Sequence, residues 1–438
     1  MLPDDGSGAE ADPPPPGSAA PGGVRRRVSW TIADQAVASS TSIGTSVVAA
    51  RSLDREGFGA FGLAFTVYLL VMGACRALVT EPLLTRYSRM EEGQPAARAR
   101  EVVGAAAGIG LASALALLVA AAVVGNAAGQ ALCTLAVVLP GLLVQDAWRY
   151  WFVTTGRPKS AVYNDGIWSG AQLVLLIPLA WAHLFNLVTI IAWWGLSGVL
   201  AGLAGCIAAH TMPSASSMLR WIGAHRDLGG RYVAEFASAS GAGYGALMAL
   251  GAIAGLGALG ALRATQVYFG PINVLFGGIY LALVPEGARL SGDRRKLDRL
   301  MKLASVGLVV VAALWLAVGL FVPTGMGRAV FGVTWDGARK LLWPTGLGVL
   351  GGGVAAGGMA GLRALGAARA SLRARLAGLP LMIGAPLAGA SLADARGFAL
   401  GLAGATWAGA AIWWWQFERA LRDQADPRSQ FSDIQRSG

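Results

Sequence analysis

The chain has 438 residues, of which 55% are apolar and 13% are charged. This composition provides too little polar surface to cover a water-soluble domain of such a size, so the sequence predicts a protein that lies in lipid. The formal net charge of +11 would suggest nucleic-acid binding in a soluble protein, but the basic residues fall in short loops between apolar segments, where anionic membrane lipids attract them. No nucleic-acid partner is therefore expected.

The chain begins with an arm rich in Pro, Gly and Ala, residues 1–27, that contains no apolar run. Such a segment cannot bury enough surface to fold, so we expect a disordered arm. Its acidic start and the missing short apolar segment argue against a cleaved signal peptide. Arg25, Arg26 and Arg27 precede the first apolar segment and should keep the arm on the cytoplasmic side.

Twelve apolar segments follow, each close to the roughly 20 residues that a helix needs to cross the hydrocarbon of a bilayer. Most of the 35 Lys and Arg residues lie in the arm, in every second connection and in the C-terminal tail. Because basic residues are retained on the cytoplasmic face, we predict a multi-pass protein of the cell membrane with both termini in the cytoplasm. The predicted spans are 28–50, 58–80, 102–125, 130–155, 164–184, 187–210, 233–257, 262–285, 302–323, 340–360, 375–393 and 396–417.

A short internal repeat divides these spans into two halves. Residues 76–86, RALVTEPLLTR, and residues 281–291, LALVPEGARLS, share the pattern Ala-Leu-Val-x-Glu. Six spans per half is an even number, so the halves have the same orientation and should enclose a central cleft. The predicted fold is therefore an all-α polytopic membrane protein with about 12 transmembrane helices in two pseudo-symmetric six-helix bundles. The predicted bounds are 28–210 and 232–417 for the bundles, 211–231 for a cytoplasmic linker and 418–438 for a cytoplasmic tail.

The first span carries a row of polar residues. Gln35, Ser39, Ser42 and Ser46 recur at i, i+4, i+7 and i+11, which places them on one helical face. One interpretation is that this face lines a polar cavity. The alternative is that the side chains bond to backbone carbonyls or to a neighbouring helix.

Two arginines lie inside spans, where a charged residue costs about 2.5 to 3.5 kcal/mol and therefore tends to face the bundle interior with a partner. Asp146 precedes Arg149 by one turn and is its predicted partner. Arg76 has no acidic residue one turn away, so its partner must come from another helix or from a ligand. The alternative is an interfacial ring of ion pairs at the cytoplasmic ends of the spans, built from Asp34, Glu81, Asp165, Glu235 and Glu286.

Signatures of catalysis are weak. Two G-x-G-x-x-G patterns begin at Gly255 and Gly346, but neither follows a strand, so helix packing explains them better than nucleotide binding. The three His residues lack metal-ligand spacing, and no catalytic triad can be assembled. We therefore predict no enzyme, no metal and no cofactor.

Three blocks of sequence resemble the polysaccharide flippases of the multidrug/oligosaccharidyl-lipid/polysaccharide exporter (MOP) superfamily, of actinobacterial type. They read WTIADQAVASSTSIGTSVVAARSLDREGFGAFGL, QDAWRYWFVTTGRPKSAVYNDGIW and LRATQVYFGPINVLFGGIYLALVPEGARL. The resemblance implies a V-shaped pair of bundles that works by alternating access. It also implies that the substrate is a lipid-linked oligosaccharide, a polyprenyl-pyrophosphate glycan, which moves from the inner to the outer leaflet for cell-envelope polysaccharide biosynthesis.

Further implied partners are an envelope-polysaccharide polymerase or glycosyltransferases. Two alternatives stay open at this point. One is a cation-coupled exporter of drugs or small solutes with the same fold, and the other is a membrane-embedded glycosyltransferase or ligase.

Such a substrate has an anionic head and a long apolar tail, so it requires a cationic cleft that opens sideways to lipid. Arginine suits two-point contact with phosphate. The candidate substrate-binding residues are Arg76, Arg149, Arg263, Gln35, Ser39, Ser42, Ser46, Gln145, Tyr150, Gln266 and Asn273. The candidates for gating or coupling are Asp34, Asp146, Asp165, Glu235 and Pro271, of which Pro271 should kink the eighth span. Trp148, Trp151, Trp168 and Tyr268 are expected either to stack on sugars or to anchor and pack the helices.

Overall fold

The computed structural model of the chain describes residues 41–87, 96–214 and 216–423. These residues form helices and connecting turns, without a strand in the described part. The described helices are α1 (41–52), α2 (Arg55–Cys75), α3 (Glu81–Tyr87), α4 (Ala96–Val124), α5 (Asn126–Thr154), α6 (Pro158–Trp181), α7 (Leu187–Ala208), α8 (Ser217–Ala224), α9 (Arg226–Phe236), α10 (Ala242–Ala254), α11 (Leu256–Tyr268), α12 (Gly270–Arg289), α13 (Arg294–Phe321), α14 (Thr324–Phe331), α15 (Trp335–Ala364) and α16 (Ala368–Asp423).

Each predicted span overlaps a described helix, and nine helical stretches of the described chain are long and apolar enough to cross a membrane. The 56-residue α16 is two helices joined at Ala393 and Asp394, whose backbone is not helical. The predicted all-α polytopic fold is confirmed. Many helices begin or end several residues beyond the predicted bounds, because a helix continues into the interfacial region while the apolar pattern marks only the part in hydrocarbon.

Helices extend into two of the predicted segments. The linker predicted at 211–231 contains α8 and the first turns of α9, and α16 continues to Asp423, past the predicted start of the tail at 418. The arm 1–27 lies outside the described residues.

The two bundles, α1 to α7 and α9 to α16, share their turns as well as their helix order. Gly125 and Gly332 lie shortly before α5 and α15 with φ of +63° and +59°, and Gly156 and Gly366 follow the same two helices with φ of +74° and +66°. A positive φ is accessible to glycine at little steric cost. The matching turns support the internal repeat on structural grounds.

The bundles touch closely at the end where α2 and α11 begin, which is the predicted outer end. A Cβ atom on Gly59 of α2 would overlap the carbonyl oxygen of Leu256, and one on Gly260 of α11 would lie 2.8 Å from the carbonyl oxygen of Arg55. Small residues permit this backbone approach. Arg51 adds a hydrogen bond across the same contact, from its Nη1 to the carbonyl oxygen of Ala329 at 2.9 Å.

Candidate functional site

A cavity of about 370 Å³ lies in the first bundle and borders α12 of the second bundle through Gly270 and Val274. Its walls come from α1, α2, α5, α6 and α7, and they combine four charged side chains with aromatic rings and amides. The lining residues are Thr41, Ser42, Ile43, Phe65, Tyr68, Leu69, Met72, Arg76, Gln145, Asp146, Arg149, Asp165, Trp168, Ser169, Gln172, Trp194, Gly270 and Val274.

Arg76 starts a π turn, Arg76–Thr80, between α2 and α3. Pro82 follows this turn; a proline has no N–H to donate to the carbonyl four residues earlier, and its ring would clash with that carbonyl. The carbonyl oxygen of Leu78 accepts instead from the indole Nε1 of Trp221 in α8, at 3.2 Å. Pro82 therefore accounts for the wider turn at Arg76–Thr80. Single π turns of this kind are frequent at functional sites.

The Arg76 guanidinium makes a two-point ion pair with Asp146 of α5. Its Nε donates to Oδ2 at 2.8 Å and its Nη2 donates to Oδ1 at 2.6 Å. Asp146 is only 6% exposed, and the ring of Tyr150 lies 5.3 Å from the guanidinium carbon. The sequence predicts that the partner of Arg76 comes from another helix or from a ligand, and this prediction is confirmed. Among the described residues the partner is Asp146, which lies on another helix, α5.

Arg149 pairs across helices as well. Its Nε lies 3.2 Å from Oδ2 of Asp165 in α6. The predicted pair of Asp146 with Arg149 along α5 is therefore wrong, because each charge finds a better-placed partner on a neighbouring helix than on its own.

Amide side chains extend this second pair into a buried network. Gln145 donates from Nε2 to Oδ1 of Asp165 at 2.7 Å and to Oδ1 of Asn164 at 3.0 Å. Asn164 in turn donates to the carbonyl oxygen of Ala201 in α7 at 2.7 Å. The network ties α5, α6 and α7 together and holds the Asp165 carboxylate in one orientation.

The predicted interfacial ring describes only some of the carboxylates. Glu235 is 61% exposed and lies 3.8 Å from Arg375, and Glu286 is 52% exposed beside Arg289. Asp165, which was assigned to the same ring, is instead buried in the first bundle. Glu235 does not line the cavity.

The polar face of α1 is divided between the cavity and helix packing. Ser42 lines the cavity, as does Thr41, whose hydroxyl is 2.9 Å from that of Ser169. Ser46 is buried and donates to the carbonyl oxygen of Ser42, so for this residue the packing interpretation applies. Asp34, Gln35 and Ser39 lie outside the described residues.

The candidates in the eighth span lie apart from the ion pairs. Arg263 places its guanidinium carbon 4.2 Å from the ring centroid of Phe65 and donates from Nη2 to the hydroxyl of Ser46 at 3.3 Å. Phe65 lines the cavity, whereas Arg263, Gln266 and Asn273 do not. The helix is interrupted at Phe269, two residues before Pro271, in the region where the kink was predicted.

Aromatic residues that the sequence left undecided separate into two groups. Trp168 lines the cavity beside Trp194, while Trp148 is fully buried and donates from Nε1 to the sulfur of Cys206 at 3.3 Å. Trp151 is also in the core, and Tyr268 donates its hydroxyl to the carbonyl oxygen of Trp315 at 2.7 Å.

The cavity wall also contains Tyr68, Gln172 and Trp194, which were not predicted from the sequence. A lone aromatic or amide on a span gives no signal of which neighbour it faces.

Among the described residues, the charges that line the cavity balance. They are those of Arg76, Arg149, Asp146 and Asp165, two positive and two negative. The predicted cleft was cationic, so the described part of the site differs from that expectation. The described residues also contain no group of three or more His, Cys, Asp or Glu side chains placed to hold a metal ion.

No protein-family model and no curated protein matches the sequence. Solved structures do match the fold over most of the chain. A multidrug resistance MATE family transporter of the MOP superfamily in its inward-facing conformation has a TM-score of 0.67 and 16% identity, covering 90% of this chain and 96% of that one. The outward-facing conformation of such a transporter has a TM-score of 0.52 and 16% identity, over 92% and 96% of the two chains.

The lipid II flippase MurJ in an inward closed conformation matches with a TM-score of 0.64 and 10% identity, covering 91% of this chain and 90% of that chain. Identities this low establish the fold alone: this chain has the fold of MOP-superfamily transporters.

Proposed function

We propose that the protein is a transporter of the cell membrane that moves a lipid-linked oligosaccharide, carried on polyprenyl pyrophosphate, from the inner to the outer leaflet. Both termini lie in the cytoplasm in this proposal, and the protein catalyses no covalent reaction. The observation that carries it is the cavity of the first bundle, where two arginines and a row of aromatic rings line the same space.

The chemistry of the walls suits the two parts of such a headgroup. A guanidinium binds two phosphate oxygens at once, as Arg76 already binds two carboxylate oxygens. The rings of Tyr68, Trp168 and Trp194 offer apolar faces with polar edges, which suit sugar rings. A volume of about 370 Å³ lies within the range of small-ligand sites and would hold a pyrophosphate with one or two sugars.

The position of the cavity suits loading from the cytoplasmic leaflet. Arg76 lies 21 residues from the start of α2 at the predicted outer end, which is about 30 Å along a helix. The bundles meet at that outer end, so rocking about it would move the site between the two faces, as alternating access requires.

A cation-coupled exporter of drugs is the second candidate, because one observation favours it. The charges of the described cavity sum to zero, and aromatic rings with two carboxylates also suit an organic cation. The shared fold does not separate the two, since a multidrug transporter and a lipid II flippase both match it.

Reconstituted transport separates these candidates. Proteoliposomes containing a fluorescent polyprenyl-pyrophosphate disaccharide should show protein-dependent movement of the label between leaflets, measured by bleaching from outside with dithionite. Arg76→Ala should abolish this movement, Arg76→Lys should restore part of it, and Arg289→Ala, at an exposed pair, should leave it unchanged. Efflux of ethidium without movement of the lipid would overturn the proposal in favour of the drug exporter.

A further inference from the structure

Asp146 occupies the position that a phosphate headgroup would take at Arg76. Its two carboxylate oxygens accept the Nε and Nη2 hydrogens of Arg76 at 2.8 and 2.6 Å, in the parallel arrangement that arginine also uses for two phosphate oxygens. A headgroup that binds Arg76 by this edge must therefore displace the carboxylate.

The two carboxylates of the site are held differently. In the described part of the chain the hydrogen bonds to Asp146 come from Arg76 alone. Asp165 is held by Gln145 through a 2.7 Å hydrogen bond in addition to its ion pair with Arg149. Displacement is therefore easier at Asp146, and the second pair remains as part of the wall.

A displaced Asp146 would face an unfavourable environment. Among the described residues, the ionisable and charged groups near it are Tyr68, Cys75 and Arg76 from α2 and its connection, Arg149 and Tyr150 from its own helix, and Asp165 from α6. Because the described charges of the cavity already balance, a bound phosphate adds net negative charge beside a carboxylate that has lost its partner. Two anions close together in a poorly solvated site repel, and uptake of a proton by the carboxylate removes that repulsion.

We propose that a phosphate headgroup displaces Asp146 from Arg76 and that the freed carboxylate then takes up one proton from water. The proton adds to a carboxylate oxygen, Arg76 keeps its charge and donates to the phosphate, and no covalent bond of the substrate changes. This inference rests on the proposed function and deepens it, since it makes Asp146 the residue through which binding of the headgroup depends on pH.

Calorimetry on the full-length protein in nanodiscs tests the coupling. Binding heats measured in two buffers of different ionisation enthalpy give the number of protons taken up per bound molecule. The probes are farnesyl pyrophosphate and farnesyl sulfate, and the sulfate does not titrate near neutral pH. With farnesyl sulfate the wild-type protein should take up about one proton, so its affinity should rise about tenfold at most for each unit by which the pH falls.

Asp146→Asn should bind both probes with a proton uptake lower by about one and with a flatter pH dependence. Asp227→Asn, at the exposed pair with Arg86, serves as the control and should behave as wild type. Because the sulfate probe reports on the wild-type protein directly, the test holds even if Asp146→Asn is poorly folded.

The outcomes separate this inference from the proposed function. Binding of both probes to the wild type, with no proton uptake for farnesyl sulfate, would overturn the role of Asp146 and leave the proposed substrate class standing. Failure of both probes to bind wild type at any pH would overturn the substrate class and this inference together.

Discussion

The first and second bundles have matching helices and turns, yet they bury different side chains. The first bundle buries Gln145, Asp146, Asn164, Asp165 and Gln172 around its cavity. In the second bundle, α15 corresponds to α5 and presents glycines to its neighbours instead. The glycines that are buried or close to α13 and α16 are Gly351, Gly353, Gly357, Gly358 and Gly361.

The two bundles therefore share a helical architecture but differ in the interactions that hold their helices together. Close backbone approach at glycines stabilises helices in lipid through packing alone and leaves no polar group to satisfy. Ion pairs between helices need partners of matching geometry, and burying each charge costs desolvation free energy. Charged residues are therefore expected in membrane helices mainly where they bind a ligand. We infer that the second bundle acts as a support and that the first bundle holds the site.

The largest effect that would test this contrast is expected at the Arg76–Asp146 pair. Arg76→Ala leaves a buried carboxylate without its partner, which costs about 3 to 5 kcal/mol in proteins. The double variant Arg76→Ala/Asp146→Ala should recover most of that loss of stability and none of the transport. Unfolding free energies in a double-mutant cycle provide the measurement, and additive losses in the two single variants would contradict the assignment.

In the second bundle the expected effect is smaller and limited to stability. A Cβ atom on Gly361 would overlap the ring of Phe417, so Gly361→Ala should destabilise by about 1 to 3 kcal/mol. A Cβ atom on Gly352 would have nothing within 4 Å of it, so Gly352→Ala should be neutral or slightly stabilising. Transport per folded molecule should be unchanged in both variants. A loss of transport without a loss of stability in Gly361→Ala would place part of the site in the second bundle.

The contact between the bundles should respond to a single methyl group. Gly59→Ala forces α2 away from Leu256, so it should shift the protein towards a state that is open at the predicted outer end. Arg51 spans this contact with the length of its side chain, so a short bis-maleimide should link Arg51→Cys to Ala329→Cys, and in Gly59→Ala this crosslinking should be less complete. Gly257→Ala is the matched control because nothing lies within 4 Å of that position. Equal crosslinking in Gly59→Ala and Gly257→Ala would argue against a role for Gly59 in the close contact between the bundles.

The smallest effect is expected on α1 and sharpens the border of the first-bundle site. Ser42 lines the cavity and is half-buried, whereas Ser46 is 1% exposed. A cysteine at Ser42 should therefore react with a water-soluble thiol reagent several times faster than a cysteine at Ser46, at comparable protein levels. Equal rates would extend the cavity to Ser46 and restore the continuous polar face that the sequence predicts.

The sequence alone predicted a multi-pass membrane protein with twelve spans, because a span depends on local composition, and a short internal repeat predicted its division into two halves. A helix in lipid satisfies its own backbone, so a sufficiently long apolar segment is enough to predict it. The insertion cost of a charge also predicted that Arg76 needs a partner from elsewhere.

Only the tertiary structure decided which partner each charge takes. Asp146 is close in sequence to Arg149 but binds Arg76, and Arg149 binds Asp165, because the distances between side chains on neighbouring helices depend on how those helices pack and on the π turn after Cys75. The same packing buried Ser46, moved Trp148 into the core and brought Trp194 to the cavity. Helix periodicity specifies the face on which a residue lies, whereas the neighbour of that face is a property of the assembled bundle.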